Sequence, residues 1–192
     1  PDVSVQLQVH STRRTGWSVA NGQIDLAIIG GQLPGDLENL LQVIPYATDE
    51  LALVLPSKHP LSNKKELLKE DLYKLNFVTL DSQSTTRKVV DKLLQDSGLD
   101  IQRLKIEMEL NSLEAIKNAV QSGLGASFLP VVSIERELSA GTIHKAFVAD
   151  LEVKRELKLI TNPSRYTSRA SEVFKKNILP QFASLESPLR HI

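Results

Sequence analysis

Ser82, Gln83, Ser84, Thr85 and Thr86 place four hydroxyls and a carboxamide directly ahead of an amphipathic run, and this is where the chain could do chemistry with a ligand. A helix start offers backbone N–H groups without intrahelical acceptors and the positive end of the helix dipole. With hydroxyls added, such a corner suits a carboxylate or a phosphate. One N-cap needs only one hydroxyl, so capping does not account for the whole cluster. Two further corners share the pattern: Ser11-Thr12-Arg13 follows an alternating run, and Asn111 follows Leu110. At either of these, capping explains the residue type as well as a ligand does. Arg87 adds charge beside the cluster or faces solvent, with solvent favoured. Arg13 and Arg14 read as paired surface arginines, and Gly30-Gly31 as an ordinary turn or a close approach of backbone to ligand.

Other chemistries find little support. His10, His59, His144 and His191 are isolated and lack H-E-x-x-H or other ligand spacing, and there is no cysteine, so no metal site is expected. No phosphate loop, no G-x-S-x-G elbow and no G-x-G-x-x-G occurs. Asp25 and Glu50 stand as single carboxylates. No catalytic residue and no resident cofactor is expected.

The elements that must hold these corners follow from periodicity. Val3, Val5, Leu7 and Val9 alternate with polar residues as a half-buried strand, and 11–21 reads as a helix ended at Asn21-Gly22. With the apolar run 24–29, this makes a βαβ unit of a parallel sheet. Residues 41–55 read as extended, broken at Pro45 and ended at Pro56, and 63–75 as one or two short helices. Then come a strand near Phe77, a helix over 84–97 closed by Gly98, a strand with Ile106, Met108 and Leu110, and a helix from Asn111 or Ser112 to Gly123. A strand at 125–130, a helix at 131–140, a half-exposed strand at 153–160 and a last helix over 167–182 complete the series. Val173, Phe174 and Ile178 form that helix's apolar face, expected to pack on its own lobe.

Two βα series separated by long extended segments imply two lobes, at 1–55 plus 162–192 and at 56–161. Lysine plus arginine and aspartate plus glutamate both number 23, for zero net charge. A duplex-binding module needs basic surface to displace counterions, so this chain alone should bind DNA poorly. With 41% hydrophobic and 24% charged residues, the composition is globular. Its apolar runs are too short to cross a bilayer and no leader precedes them, and lack of cysteine fits a reducing compartment, so cytoplasm is the default. The start at Pro1 suggests a piece of something longer.

Several strings resemble the effector-binding half of LysR-type transcription regulators. Asn21-Gly22-Gln23-Ile24-Asp25-Leu26-Ala27-Ile28 is similar to the family's glycine, apolar, Asp, apolar strand. Glu50-Leu51-Ala52-Leu53-Val54-Leu55-Pro56 with His59-Pro60-Leu61 is similar to its first crossover strand, and Gly123-Leu124-Gly125-Ala126-Ser127-Phe128-Leu129-Pro130 to its Gly-x-Gly strand. The strings Asp81-Ser82-Gln83-Ser84-Thr85-Thr86-Arg87-Lys88 and Glu109-Leu110-Asn111-Ser112-Leu113-Glu114-Ala115-Ile116-Lys117 resemble regulators of RuBisCO and inorganic-carbon-uptake genes in cyanobacteria and plastids. The resemblance implies an α/β fold of two Rossmann-like lobes joined by two crossover strands, as in type 2 periplasmic binding proteins. It also implies a small anionic effector, such as 2-phosphoglycolate or 2-oxoglutarate, held between the lobes. Thr12, Ser82, Gln83, Ser84, Thr85, Thr86, Asn111 and Phe128 are the effector-binding candidates, although Phe128 also reads as plain core. DNA contact through an N-terminal helix-turn-helix outside this sequence, a homodimer or homotetramer, and a cytoplasmic or plastid-stromal location complete what it implies. The resemblance further implies a first strand and helix of the family ahead of the segment that begins at Pro1, expected to lie outside this sequence. A solute-binding protein for a small anion is the alternative reading, and a small-molecule enzyme of similar architecture a weaker third.

Overall fold

The computed structural model describes residues 5–180. In chain order the elements are α1 (Thr12–Ala20), β1 (Leu26–Ile29), α2 (Gly35–Glu38), β2 (Gln42–Pro56), β3 (Asn76–Leu80), α3 (Thr85–Asp96), β4 (Lys105–Leu110), α4 (Leu113–Gln121), β5 (Ser127–Pro130), α5 (Glu135–Ser139), β6 (Ile143–Ala146), β7 (Lys154–Thr161) and α6 (Arg169–Val173). The chain divides into two compact units, Pro1–Thr48 with Glu156–Ile192, and Asp49–Arg155. Strands β2 and β7 each continue from one unit into the other.

In the first unit Ser11 caps α1 by accepting from the Arg14 N–H. Val19, Ala20, Ile29, Leu33, Leu37, Leu41 and Ile160 form its core. Gly16 lets α1 approach α2, since a Cβ there would lie 2.8 Å from Leu37 Cδ1. The expected parallel βαβ unit is not formed among the described residues, where β1 instead pairs antiparallel with β7, from Leu26 opposite Thr161 to Ile29 opposite Lys158. Residues 5–10 form no strand, and Val5, Leu7 and Val9 are 70%, 86% and 84% exposed. Alternation makes a strand only where a neighbour supplies ladder hydrogen bonds and a surface to cover the apolar row, and no described strand pairs with this segment.

Two more expectations are corrected at the extended segments. Strand β2 runs unbroken through Pro45, which a strand tolerates where the proline nitrogen owes no ladder hydrogen bond. The last helix starts at Arg169, where Ser168 caps it by accepting from the Ser171 N–H, and widens into a π-helical turn at Phe174–Ile178. Val173 is 48% exposed, so the expected apolar face is only partly packed. Residues 181 and 182 of the expected helix lie outside the described residues.

The second unit holds the parallel βα series that the sequence led us to expect. Strand β3 pairs parallel with β4, Asn76 opposite Lys105 and Leu80 opposite Leu110. Its other edge meets Ala126, through the Val78 N–H to the Ala126 carbonyl and the Ala126 N–H to the Asn76 carbonyl. Gly125 permits that approach, as a Cβ there would lie 2.7 Å from the Asn76 carbonyl oxygen. Strand β2 pairs antiparallel with β5 and with β6, the latter an element not anticipated from the sequence. Leu51, Leu53, Leu55, Leu67, Leu72, Leu75, Phe77, Val90 and Leu94 fill one side of this unit, and Ala52, Val54, Val78, Ile116, Val120, Leu129 and Ile134 the other.

The short helices expected over 63–75 are 3-10 turns at Pro60–Asn63 and Lys69–Lys74. The second is organised by Asp71, which is 4% exposed and accepts from the Leu68 N–H at 3.1 Å, Lys64 Nζ at 3.2 Å and Lys74 Nζ at 2.7 Å. The Lys74 hydrogen bond, with help from Leu68 and Lys64, holds its carboxyl at about 2, below its ordinary 3.8. A carboxyl titrating lower when folded contributes stability that is complete above about pH 4 and lost as pH falls towards 2. Since both lysines are half-exposed or more, Asp71→Asn is expected to cost only about 1–2 kcal/mol at pH 7. Urea midpoints of the two proteins should converge as pH falls from 4 to 2; an unchanged gap would refute the assignment.

Candidate functional site

The second unit brings two of the three expected corners together. Leu80 and Leu110 are register partners at the carboxyl ends of adjacent parallel strands, and the Asp81 N–H donates to the Leu110 carbonyl at 3.0 Å. Two helix starts, those of α3 and α4, therefore follow neighbouring strand ends, the usual place for a ligand in a parallel α/β sheet. Thr12, the third candidate, belongs to the first unit, where it opens α1 and is 8% exposed.

The 82–86 corner is shaped by its own backbone. Asp81 Oδ1 accepts from the Gln83 N–H at 2.9 Å, and the Ser84 N–H donates to the Asp81 carbonyl at 2.9 Å, a turn typical of aspartate. Ser82 and Gln83 are exposed, while Ser84, Thr85 and Thr86 are half-buried. Ser84 is the N-cap of α3, accepting from the Arg87 N–H at 3.5 Å. That length is weak for a cap, so the Ser84 hydroxyl is loosely committed. At the neighbouring corner Ser112 occupies the N-cap of α4 without a side-chain cap hydrogen bond, and Asn111 is exposed beside it. Capping thus uses one hydroxyl of the first corner and no side chain of the second.

Arg87 does not face solvent. Its side chain is 15% exposed; Nε lies 2.8 Å from both Asp91 carboxylate oxygens, and Nη1 reaches the Leu80 carbonyl, Glu109 Oε1 and Thr79 Oγ1. Its position one turn before Asp91 makes it an i,i+4 pair that also clips α3 to the end of β3. Behind it a cavity of about 30 Å³ is lined by Thr79, Thr86, Arg87, Ser127, Phe77 and Phe128, room for a water and not for a metabolite. Phe128 stacks on Phe77 with ring centroids 6.2 Å apart and planes within 4°. It is half-buried, on the same side as Thr86.

Two residues not anticipated from the sequence complete the corner. Asp49 is 8% exposed, and its Oδ2 accepts from Arg155 Nε at 2.8 Å and pairs with Nη2 at 2.6 Å. Arg155 Nη1 donates to Thr86 Oγ1 at 2.7 Å. The signal for both was present: Asp49 falls in phase with Leu51, Leu53 and Leu55, and Arg155 with Val153, Leu157 and Leu159. Charged residues at inward positions of two strands are complementary and invite a buried pair. Among the described residues no cluster of three or more His, Cys, Asp or Glu could hold a metal ion, and no helix is long and apolar enough to cross a membrane.

Residues 1–183 match the model of the LysR substrate binding domain. The chain belongs to this family. Among similar proteins, probable RuBisCO transcriptional regulators of Synechocystis sp. and of Porphyra purpurea are 60% and 58% identical over 184 residues, 96% of this chain. The chain spans 53% and 58% of those two relatives' lengths. Among solved structures, that of the Synechocystis PCC6803 CcmR regulatory domain in complex with 2-PG superposes with a TM-score of 0.80 at 22% identity, covering 95% of this chain and 85% of that one. The effector binding domain of QuiR in complex with shikimate gives 0.74 at 21% identity, covering 91% and 78%. The fold is that of LysR effector-binding domains, as the sequence resemblance implied.

Proposed function

We propose that this LysR family chain is the metabolite-sensing part of a transcription regulator of carbon-assimilation genes, its two compact units being the two regulatory lobes. The identity to RuBisCO regulators over 96% of the chain carries this reading, and it favours a regulator over a solute-binding protein or an enzyme. In the longer protein a separate DNA-binding segment and a homo-oligomer would convert effector binding into altered DNA contact, by differential affinity for two states. A soluble cytoplasmic or stromal setting goes with that role.

The effector is a small anion seated on the second unit at the paired helix starts. Ser82, Gln83, Ser84, Thr85 and Asn111 supply hydroxyl and amide groups there, most of them uncommitted to capping. Free N–H groups at two helix starts add the field that an anion needs. Because the superposable CcmR domain holds 2-PG, we read that ligand as 2-phosphoglycolate and take it as the first probe, with 2-oxoglutarate second. Isothermal titration of the purified protein should show saturable heat with 2-phosphoglycolate. Ser82→Ala and Thr85→Val should each weaken it roughly tenfold, since a hydrogen bond to a charged group is worth about 1.5–3 kcal/mol. Saturable binding unaffected by either variant would move the site elsewhere; absence of heat with both anions would remove the ligand assignment.

A further inference from the structure

We propose that Arg155 is a positioning residue for the anion site, setting the proton direction of the Thr86 hydroxyl and tying the start of α3 to the two strands by which the chain enters and leaves the second unit. The inference rests on the anion-site reading above and deepens it.

Thr86 is the second residue of α3, in the turn whose N–H groups have no intrahelical acceptor. Because Arg155 Nη1 donates to Thr86 Oγ1, that oxygen serves as acceptor and its own O–H proton is left to donate. An oxygen already accepting from a guanidinium is also the more polarised donor. The hydroxyl is thereby prepared for a ligand that only accepts, as a carboxylate or phosphate does. A neutral amide or alcohol gains less from the same arrangement.

The guanidinium has little freedom to do otherwise. Nε and Nη2 are both held by the Asp49 carboxylate, so Nη1 is fixed towards Thr86 with three of the arginine's nitrogens in use. Asp49 and Arg155 are the first and last residues of the second unit, on β2 and β7 respectively. Any shift of one strand against the other changes the Asp49–Arg155 geometry and moves Nη1 relative to Thr86. By reciprocity, an anion held by the Thr86 hydroxyl favours the strand geometry that keeps Arg155 in place.

A double-mutant cycle on 2-phosphoglycolate affinity, read by titration calorimetry, tests this. Arg155→Met and Thr86→Val should each weaken binding roughly tenfold, and the double variant no more than either alone. Thr86→Ser, which keeps the hydroxyl, should restore binding. Multiplicative effects of the two substitutions, or undiminished binding by Arg155→Met, would overturn the proposal. Should Arg155→Met fail to fold, Asp49→Asn takes its place in the cycle with the same two outcomes. If the unsubstituted protein binds none of the anion, the site reading itself fails, which is distinguishable from a failed coupling.

Discussion

Replacing Lys117 by methionine is expected to lower the unfolding free energy by about 3–5 kcal/mol, the range for removing one partner of a buried ion pair. Lys117 is 7% exposed, and its ammonium uses all three donors, on Glu114 Oε1 at 2.8 Å, Glu137 Oε1 at 2.9 Å and the Ser133 carbonyl at 3.1 Å. The Glu114 hydrogen bond leads in holding its proton, raising the amine above its ordinary value against the opposing effect of burial. In turn, Lys117 is the main reason the Glu137 carboxyl titrates below the usual carboxylate range. Glu137 Oε2 is buried without a hydrogen-bond partner, so the lysine is what keeps that carboxylate tolerable.

Without the lysine, burial raises the folded-state pKa of Glu137, and the stability lost at neutral pH returns as pH falls through it. The gap to the parent protein in urea unfolding should therefore be widest at pH 7 and narrow towards pH 4. Adding Glu137→Leu should recover most of the loss, because a well-packed apolar pair removes the uncompensated charge. By contrast the Lys145–Glu50 pair, short at 2.7 Å but with Glu50 41% exposed, should cost under about 1 kcal/mol when broken. Equal effects at the two pairs would mean that burial is not what decides them.

The parts of the fold legible in the sequence were those whose signals are local. Gly98 and Gly123 have φ of +87° and +84°, and each ends a helix, as a glycine closing an amphipathic run predicts. The caps at Ser11 and Ser84 likewise appear where a hydroxyl preceded an amphipathic run. What failed depended on pairing. Nothing local distinguishes 5–10, which stays unpaired, from 105–110, which finds β3, and strand direction is set by partners far along the chain. Strand β6 was missed because Ile143-His144-Lys145-Ala146 lacks a clean alternation and is recruited by the edge of β2.

At the candidate site the same division holds. Hydroxyl-rich helix starts were visible, since helix initiation is a local event. The adjacency of the 82–86 corner to Asn111 needed the parallel register of β3 and β4. Arg87 was misjudged because its partners Thr79 and Glu109 lie on strands, outside the helical spacing that exposes Asp91. Asp49 and Arg155 are 106 residues apart, and only the phase of each within its strand hinted that a charge pointed inward.

Truncating Phe77 to alanine is the second large effect, expected at about 3–5 kcal/mol. The ring is 2% exposed, stacks on Phe128 and lines the cavity of about 30 Å³ beside Arg87. Its removal enlarges a void that exists already, and β3 is held on both edges, by β4 and by Ala126, so the surroundings cannot collapse into the space. A loss of this size should lower the thermal midpoint by roughly 6–20 °C for a chain of this length. Phe128 serves as the control, because it was both a site candidate and a core residue. Half-buried, it should cost about 1–2 kcal/mol as alanine, less than Phe77. If Phe128 also faces the anion, its alanine variant weakens 2-phosphoglycolate binding beyond any effect of Phe77→Ala, measured well below both midpoints. Equal affinities in the two variants would assign Phe128 to the core alone, leaving recognition to the hydroxyl and amide groups at the starts of α3 and α4.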